Sequence, residues 1–195
     1  RPEGDAPCVV LRNAGKPVIS LADAQAAGVY GALEKAVTTL QPQQVIDQIK
    51  ASQLRGRGGA GFPTGIKLQT VRDSEAPDGS GRRFVVVNFD EGDAGSYIDK
   101  ELIETDPHSQ IEGILLAAYA TGAREAIVYA RYEYPRARRI LAAAVEEAQQ
   151  AGIIAAPLFG SDFECTITVV RGQGAYICGE ETSLLRSLEG VPALV

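Results

Sequence analysis

The chain divides into a helical first part and a second part in which strands and helices alternate. Between residues 21 and 52, apolar residues recur at helical spacing, which predicts two helices, the second beginning near Pro42. From residue 84 onward, short apolar runs typical of buried parallel strands precede longer helical stretches. The predicted strands cover 84–88, 126–130 and 166–170, and the predicted helices cover 107–121, 135–150 and 180–188.

This order of strands and helices predicts a mostly parallel sheet with covering helices, a Rossmann-like α/β fold preceded by an N-terminal helical segment. Asp106, Pro107 and Gly122 mark the start and the end of one helix. We also expect a short strand near Cys8 to Leu11, and a helix that starts within 67–72.

The expected domain organisation has two parts. Residues 1–52 form a partly helical N-terminal extension, and residues 53–195 form one domain with a glycine-rich loop near its start.

The glycine-rich loop spans residues 55–65, with five glycines in eleven positions. Its core, 56–61, matches the spacing G-x-G-x-x-G, whose bare backbone lets N–H groups point at an anion. A helix precedes it where a dinucleotide-binding motif would have a strand, so the spacing alone is a weak signal. A flexible linker is the alternative, although linkers favour Ser and Thr over Arg, Phe and Pro. Phe62 and Lys67 add an aromatic ring and a cation, which suits a nucleotide.

A second polar segment, residues 88–97, follows the first predicted strand. Ligands of open parallel sheets lie at the carboxyl ends of strands. Asn88 can pair with the edge of a heteroaromatic ring, while Asp90, Glu91 and Asp93 can accept hydrogen bonds from ribose hydroxyls. The alternatives are a divalent cation site and a solvated acidic turn.

The third segment, residues 172–185, follows the last predicted strand and opens a helix. Tyr176, Gly179, Glu180 and Glu181 are its candidate ligand-binding residues. Ordinary structural roles also explain them, because glutamates in a first turn favour the helix dipole and a tyrosine often packs in a core.

Composition excludes several classes of function. A net charge of −6 and a pI near 4.9 argue against nucleic-acid binding. Three dispersed cysteines indicate packed thiols in a reducing cytoplasm, and no run approaches the ~20 apolar residues of a membrane span. The single histidine, His108, is expected at the surface. Because the chain contains no methionine, we expect a piece of a longer polypeptide.

The three segments in this order resemble the flavin-binding subunit of respiratory complex I, the 51 kDa NADH dehydrogenase subunit. The same domain occurs in the diaphorase of NAD-reducing hydrogenases and in the beta subunit of NAD-dependent formate dehydrogenases. The resemblance covers roughly residues 40–195. It differs from the common family pattern at 93–95, which lacks Glu-Pro-Gly, and at 68–70, which lacks an aromatic residue.

The resemblance implies non-covalent FMN with NADH stacked on it, and it assigns roles by position. Residues of the loop contact the flavin phosphate and NADH: Gly56, Arg57, Gly58, Gly59, Ala60 and Gly61. Phe62 stacks on the adenine of NADH, and Lys67 contacts FMN or NADH. Asn88, Asp90 and Glu91 hold the flavin and Asp93 contacts NADH. Tyr176, Gly179, Glu180 and Glu181 close the pocket, with Glu181 as the acceptor for the NADH ribose.

The implied activity is NADH:acceptor oxidoreduction, with hydride passing between NAD(H) and FMN. No side chain need act as acid or base, and Glu91 and Asp93 are the nearest candidates. The family continues into a ubiquitin-like module and a [4Fe–4S] domain beyond residue 195. The expected partners are an iron–sulfur subunit of the 24 kDa type and other subunits of a cytoplasmic complex, which can lie peripherally on the inner membrane. A non-catalytic flavin-binding or docking subunit and a truncated fragment that binds neither ligand remain alternatives.

Overall fold

The structure, a computed structural model, describes residues 9–76 and 78–192. The helices are α1 Leu21–Ala26, α2 Gly31–Thr39, α3 Pro42–Ala51, α4 Thr64–Asp73, α5 Ile98–Thr105, α6 Pro107–Thr121, α7 Pro135–Gln150 and α8 Glu181–Leu188. The strands are β1 Phe84–Phe89, β2 Glu125–Ala130 and β3 Thr166–Arg171, and short 3₁₀ turns cover Leu158–Gly160 and Tyr176–Gly179. Among the described residues no helix is long and apolar enough to cross a membrane.

The three strands form a parallel sheet in the order β1-β2-β3, which confirms the predicted α/β fold. Both crossover helices, α6 and α7, pack on the same face of the sheet. Side chains that alternate along each strand, such as Val85, Val128 and Ile167, meet Leu115 and Leu141 of these helices there. The main core therefore lies between the sheet and the α6–α7 layer.

The opposite face of the sheet carries a smaller apolar cluster near its carboxyl end. Tyr129 of β2 packs there against Cys178 and Leu184, with Val86 of β1 beside them. This cluster holds the 3₁₀ turn before α8, and α8 itself, over the ends of the strands. Strand β1 is less buried than its apolar run predicted, because it lies at an edge of the three-stranded sheet and leaves Phe84 exposed.

The N-terminal helices pack onto α6 and join the same cores. Leu33 of α2 lies in the main core, and Ile46 of α3 packs against Ala120 of α6. Helices α3 and α4 meet at Gly65, where a Cβ atom would lie only 2.8 Å from the backbone nitrogen of Lys50. Side chains from both sides of residue 52 share these cores. The predicted division of the chain into an extension, 1–52, and a domain, 53–195, stays a prediction.

Helix α6 shows how local signals set the bounds of an element. The Asp106 carboxylate accepts a hydrogen bond from the Ser109 N–H at 3.1 Å, Pro107 occupies the first helical position, and Gly122 ends the helix with φ 81°. The predicted bounds, 107–121, are confirmed. Helix α7 likewise covers the predicted 135–150.

Other predictions need correction. Residues 9–11 form no strand, and Leu11 instead accepts a turn hydrogen bond from the Ala14 N–H, while Cys8 lies outside the described residues. Helix α5 was not predicted, and α4 begins at Thr64, before the expected start.

The prediction of a surface His108 is wrong, since this side chain is 1% exposed. The first turn of α6 faces α2 and α7 rather than solvent. The Nδ1 atom of His108 lies 2.9 Å from the Tyr30 hydroxyl, and Nε2 lies 3.3 Å from a Glu147 oxygen.

Candidate functional site

The segments after β1 and β3 meet across the carboxyl end of the sheet. The Asn88 amide donates a hydrogen bond to the Gly179 carbonyl at 2.8 Å, and the Tyr176 hydroxyl donates to the Asp93 carboxylate at 2.8 Å. The Tyr176 ring lies so close to Gly92 that a Cβ there would be 2.9 Å from it. These two hydrogen bonds therefore join two segments that are about ninety residues apart in sequence.

These segments and the glycine-rich loop border one cleft of about 1230 Å³. Ten of the sixteen predicted site residues line it: Arg57, Gly58, Gly59, Asn88, Asp90, Glu91, Asp93, Tyr176, Gly179 and Glu180. The other six are not among its lining residues: Gly56, Ala60, Gly61, Phe62, Lys67 and Glu181. Tertiary structure thus brings most of the predicted residues to one place.

The glycine-rich loop is a closed hairpin-like turn rather than an open connection. Arg55 and Pro63 pair as an isolated antiparallel bridge, and the Gly56 N–H donates to the Phe62 carbonyl at 2.8 Å. Gly59 has φ 110°, a conformation that glycine adopts readily and other residues rarely do. Gly58 and Gly59 face open space, so their backbone is accessible to a ligand.

Glu91 lines the floor of the cleft and also supports helix α5. Its carboxylate accepts hydrogen bonds from the Ser96 hydroxyl at 2.8 Å and from the Asp99 N–H at 3.1 Å. Its backbone carbonyl accepts a hydrogen bond from the guanidinium of Arg131, a residue that follows β2. Because the first N–H groups of a helix have no partners within it, Glu91 caps α5 from a distance.

The cleft floor concentrates carboxyl groups in a partly buried setting. Burial raises the pKa of Asp90, although the nearby Arg131 opposes this shift. Burial, and secondarily the charge of Glu91, raises the pKa of Asp99. Hydrogen-bond donors from a ligand would stabilise these charged forms, so the floor suits the hydroxyl groups of a ribose or a sugar alcohol.

The glycine-rich loop and the start of α8 carry exposed aromatic and charged groups. Phe62, within the loop, is 53% exposed. Glu180 caps α8 by accepting a hydrogen bond from the Ser183 N–H at 3.1 Å, and hydrogen bonds from backbone N–H groups, first that of Thr182, lower its pKa. Glu181 forms an ion pair with Lys67 instead of joining this cap.

The cleft also has lining residues that the sequence analysis did not select: Val10, Leu11, Gly92, Ser96, Ile98, Asp99, Leu102 and Ile177. Most of them are apolar, or lie on the unpredicted helix α5, so they carry no chemical signature along the chain. Gly92 and Ser96 are the exceptions, since both lie in the acidic segment 88–97, and Gly92 stands between two residues already selected. Its close contact with Tyr176 explains why a glycine is needed there.

The cysteines of the described residues are packed thiols. Cys165 and Cys178 are buried and free, as predicted, and burial raises the pKa of Cys165 to about 11. Within the described ranges, no group of three or more His, Cys, Asp or Glu side chains is placed to hold a metal ion.

A comparison with known protein families agrees with this picture of a parallel sheet whose candidate ligand-binding loops lie at the carboxyl ends of the strands. Residues 49–194 match the family described as the Nuo51 FMN-binding domain. The chain therefore belongs to this family, and the resemblance stated from its motifs is confirmed.

Particular relatives are subunits of redox complexes. The chain is 47% identical over 183 residues to an NADH-quinone oxidoreductase subunit of Aquifex aeolicus, covering 93% of this chain and 42% of the relative. It is 44% identical to the NADP-reducing hydrogenase subunit HndC of Solidesulfovibrio fructosivorans, covering 83% of this chain and 32% of that one.

A solved structure has the same fold. An NAD⁺-reducing [NiFe]-hydrogenase in its H₂-reduced state superposes with a TM-score of 0.74 at 35% identity, covering 91% of this chain and 29% of that one. The chain therefore spans less than half the length of each of these proteins.

Proposed function

We propose that this chain is the FMN- and NAD(H)-binding module of an NADH:acceptor oxidoreductase, a diaphorase that supplies electrons to a larger complex. One observation carries the proposal. Three segments that are distant in sequence, each with residues suited to a nucleotide, border a single cleft at the carboxyl end of a parallel sheet.

The residues of the cleft fit a flavin nucleotide and a dinucleotide. Small-molecule sites usually occupy about 300–1,000 Å³. The cleft, at about 1230 Å³, is larger than that range. At one side, open backbone at Gly58 and Gly59 and the guanidinium of Arg57 can hold phosphate, and within the described residues Arg57 makes no ion pair. At the floor, Asn88 and Asp90 offer hydrogen-bonding groups for a ring edge and for hydroxyls.

The cofactor carries out the redox chemistry, and the chain positions the ligands. FMN, when bound, supplies a group that exchanges hydride with NAD(H) and single electrons with iron–sulfur clusters. The carboxylates nearest to the site have structural partners, since Glu91 caps α5 and Asp93 accepts from Tyr176. We therefore assign no general acid or base to this chain, and the task of its residues is to orient two ligands and exclude water.

The proposal extends to the parts of the complex that lie outside this chain. Electrons would leave toward a [4Fe–4S] cluster held by residues beyond position 195 and toward an iron–sulfur subunit of the 24 kDa type. We place the complex in the cytoplasm, free or peripheral to the inner membrane. What supports this is the family of the chain and the naming of its relatives as subunits.

A flavin spectrum of the complete purified subunit tests the proposal. We expect a flavin absorbance that NADH bleaches under anaerobic conditions. A flavin that NADH leaves oxidised would instead indicate a non-catalytic flavin-binding or docking subunit. A protein that stays colourless after addition of FMN would overturn the proposal.

A further inference from the structure

Part of the apolar lining of the cleft comes from outside the matched family region. Val10 and Leu11 line the cleft, as do Ile98 and Leu102 of α5. They belong to residues 9–16, called here the N-terminal strap, whereas the family match begins at residue 49. The polar floor and the glycines of the loop account for hydroxyl and phosphate groups, whereas a ring also needs apolar surface.

The strap is tied to the body of the domain by hydrogen bonds that do not involve the cleft. The Asn13 amide donates to Oδ2 of Asp106 at 2.8 Å, and Arg12 donates to the Ser109 hydroxyl at 2.9 Å. The Gly15 N–H donates to a carboxylate oxygen of Glu101 on α5 at 2.6 Å. Asp106 is 5% exposed and also caps α6, so the residue to which the strap is bonded is itself held in place by the fold.

The two strap side chains that line the cleft are still partly exposed. Val10 is 47% exposed and Leu11 is 38% exposed, although both border the cleft. Burial of such surface against a planar ring is favourable because apolar area leaves water. The nearby Ile98, which is 56% exposed, extends the same wall from α5.

We propose that Val10 and Leu11 of the N-terminal strap form a binding wall for a heteroaromatic ring of a nucleotide in this cleft. The inference rests on the proposed function, since it names the part of the chain that receives a ring of FMN or of NADH. Asn13 acts as a positioning residue, because its hydrogen bond to Asp106 fixes the strap against the domain.

The test replaces both wall residues in the complete subunit, as Val10→Ser with Leu11→Ser. Two quantities are measured: the dissociation constant of FMN for the flavin-free protein, and KM and kcat for NADH with FMN in excess and an artificial acceptor. Val18→Ser is the matched control, because Val18 is 48% exposed and does not line the cleft. The thermal midpoint of the flavin-free protein is recorded for every variant.

We expect the double variant to weaken FMN binding, or to raise KM for NADH, about fourfold to tenfold, since each apolar carbon that stays in water costs affinity. The first result would assign the wall to the flavin ring and the second to a ring of NADH. Asn13→Ala should change the same quantity in the same direction and leave the other quantity unaltered, whereas a general loss of folded protein would change both.

Two results would overturn the inference. One is that FMN binding and KM for NADH in the double variant stay within twofold of the control, while the unaltered protein binds FMN. The other is an equal loss in Val18→Ser, which would show a general effect on the segment. A failure of the unaltered subunit to bind FMN would overturn the proposed function together with this inference, and so is distinct from both.

Discussion

The ammonium group of Lys67 lies 3.9 Å from a carboxylate oxygen of Glu181. The pair joins α4, which follows the glycine-rich loop, to the first turn of α8. Both side chains are largely exposed, so the pair contributes little to folding. Its position beside the cleft makes it relevant to the charge of a ligand.

Glu181 is predicted to select NADH over NADPH. A carboxylate accepts hydrogen bonds from a ribose 2′-hydroxyl and repels a 2′-phosphate. Glu181→Gln should therefore raise kcat/KM for NADPH about tenfold while largely preserving NADH use, and it also frees Lys67 to attract the phosphate. The ratio of kcat/KM for the two donors, measured in the complete subunit with an artificial acceptor, checks this.

Glu189→Gln, the same change of charge at the other end of α8, serves as the control. If Glu181 only stabilises the start of the helix, both variants will keep the wild-type ratio and Glu181 will lose its place in the site.

At position 58, glycine is predicted to be required for ligand binding and not for folding. A Cβ at Gly58 meets nothing within 4 Å, and its φ is not positive, whereas Gly59 has φ 110°. Gly58→Ala should unfold at the wild-type temperature yet bind FMN about tenfold more weakly, as overpacking against a close ligand costs about 1–3 kcal/mol. FMN titration and thermal unfolding of the same sample measure both effects.

Gly65→Ala provides the opposite pattern, because its new methyl group would press on the backbone of Lys50 and lower the thermal midpoint. Wild-type FMN affinity in Gly58→Ala would remove the loop from the flavin site.

Cys178 is predicted to be a packing residue and not a cluster ligand. It is 1% exposed in the cluster with Tyr129 and Leu184. Cys178→Ala should lower the free energy of unfolding by about 1 kcal/mol through lost packing, with the iron content of the complete subunit unchanged. Iron analysis and denaturant unfolding decide this, and a loss of iron contradicts it.

Stability is predicted to depend on pH through His108. Burial lowers the pKa of His108 below its usual 6.5, despite the opposing effects of Glu147 and Asp106. As the pH falls through about 6.5, His108 of the unfolded chain therefore takes up a proton while His108 of the folded chain stays neutral. The contribution of His108 to the free energy of unfolding is complete above that pH and is lost as the pH falls below it. One proton accounts for at most about 1.4 kcal/mol per pH unit.

His108→Gln should flatten the decline of unfolding free energy between about pH 7 and pH 5, as the proton uptake disappears. Denaturant unfolding at several pH values gives the slopes. Equal slopes in both proteins would mean that folded His108 protonates as readily as a free histidine.

Elements whose ends are set by neighbouring residues could be predicted from the sequence. Asp106, Pro107 and Gly122 fix α6 through contacts within one turn, so its bounds were predicted correctly. Helix α5 lacks such signals, because its N-terminal N–H groups are satisfied by Glu91, seven residues before the helix begins. A distant cap leaves no local pattern, and the same holds for the burial of His108 by α2 and α7.

The sequence by itself determined the parallel α/β fold, the family and the residue types of the candidate site, because periodicity, glycine clusters and acidic turns are local properties. Only the tertiary structure decided which of these residues meet. The strand order β1-β2-β3 places the segments after β1 and β3 on either side of β2, where Asn88 reaches Gly179 and Tyr176 reaches Asp93. The tertiary structure also places Val10 and Leu11 of the strap at the cleft, where the hydrogen bond from Asn13 to Asp106 holds the strap. Packing between distant segments depends on the whole fold, so the sequence did not predict this contact.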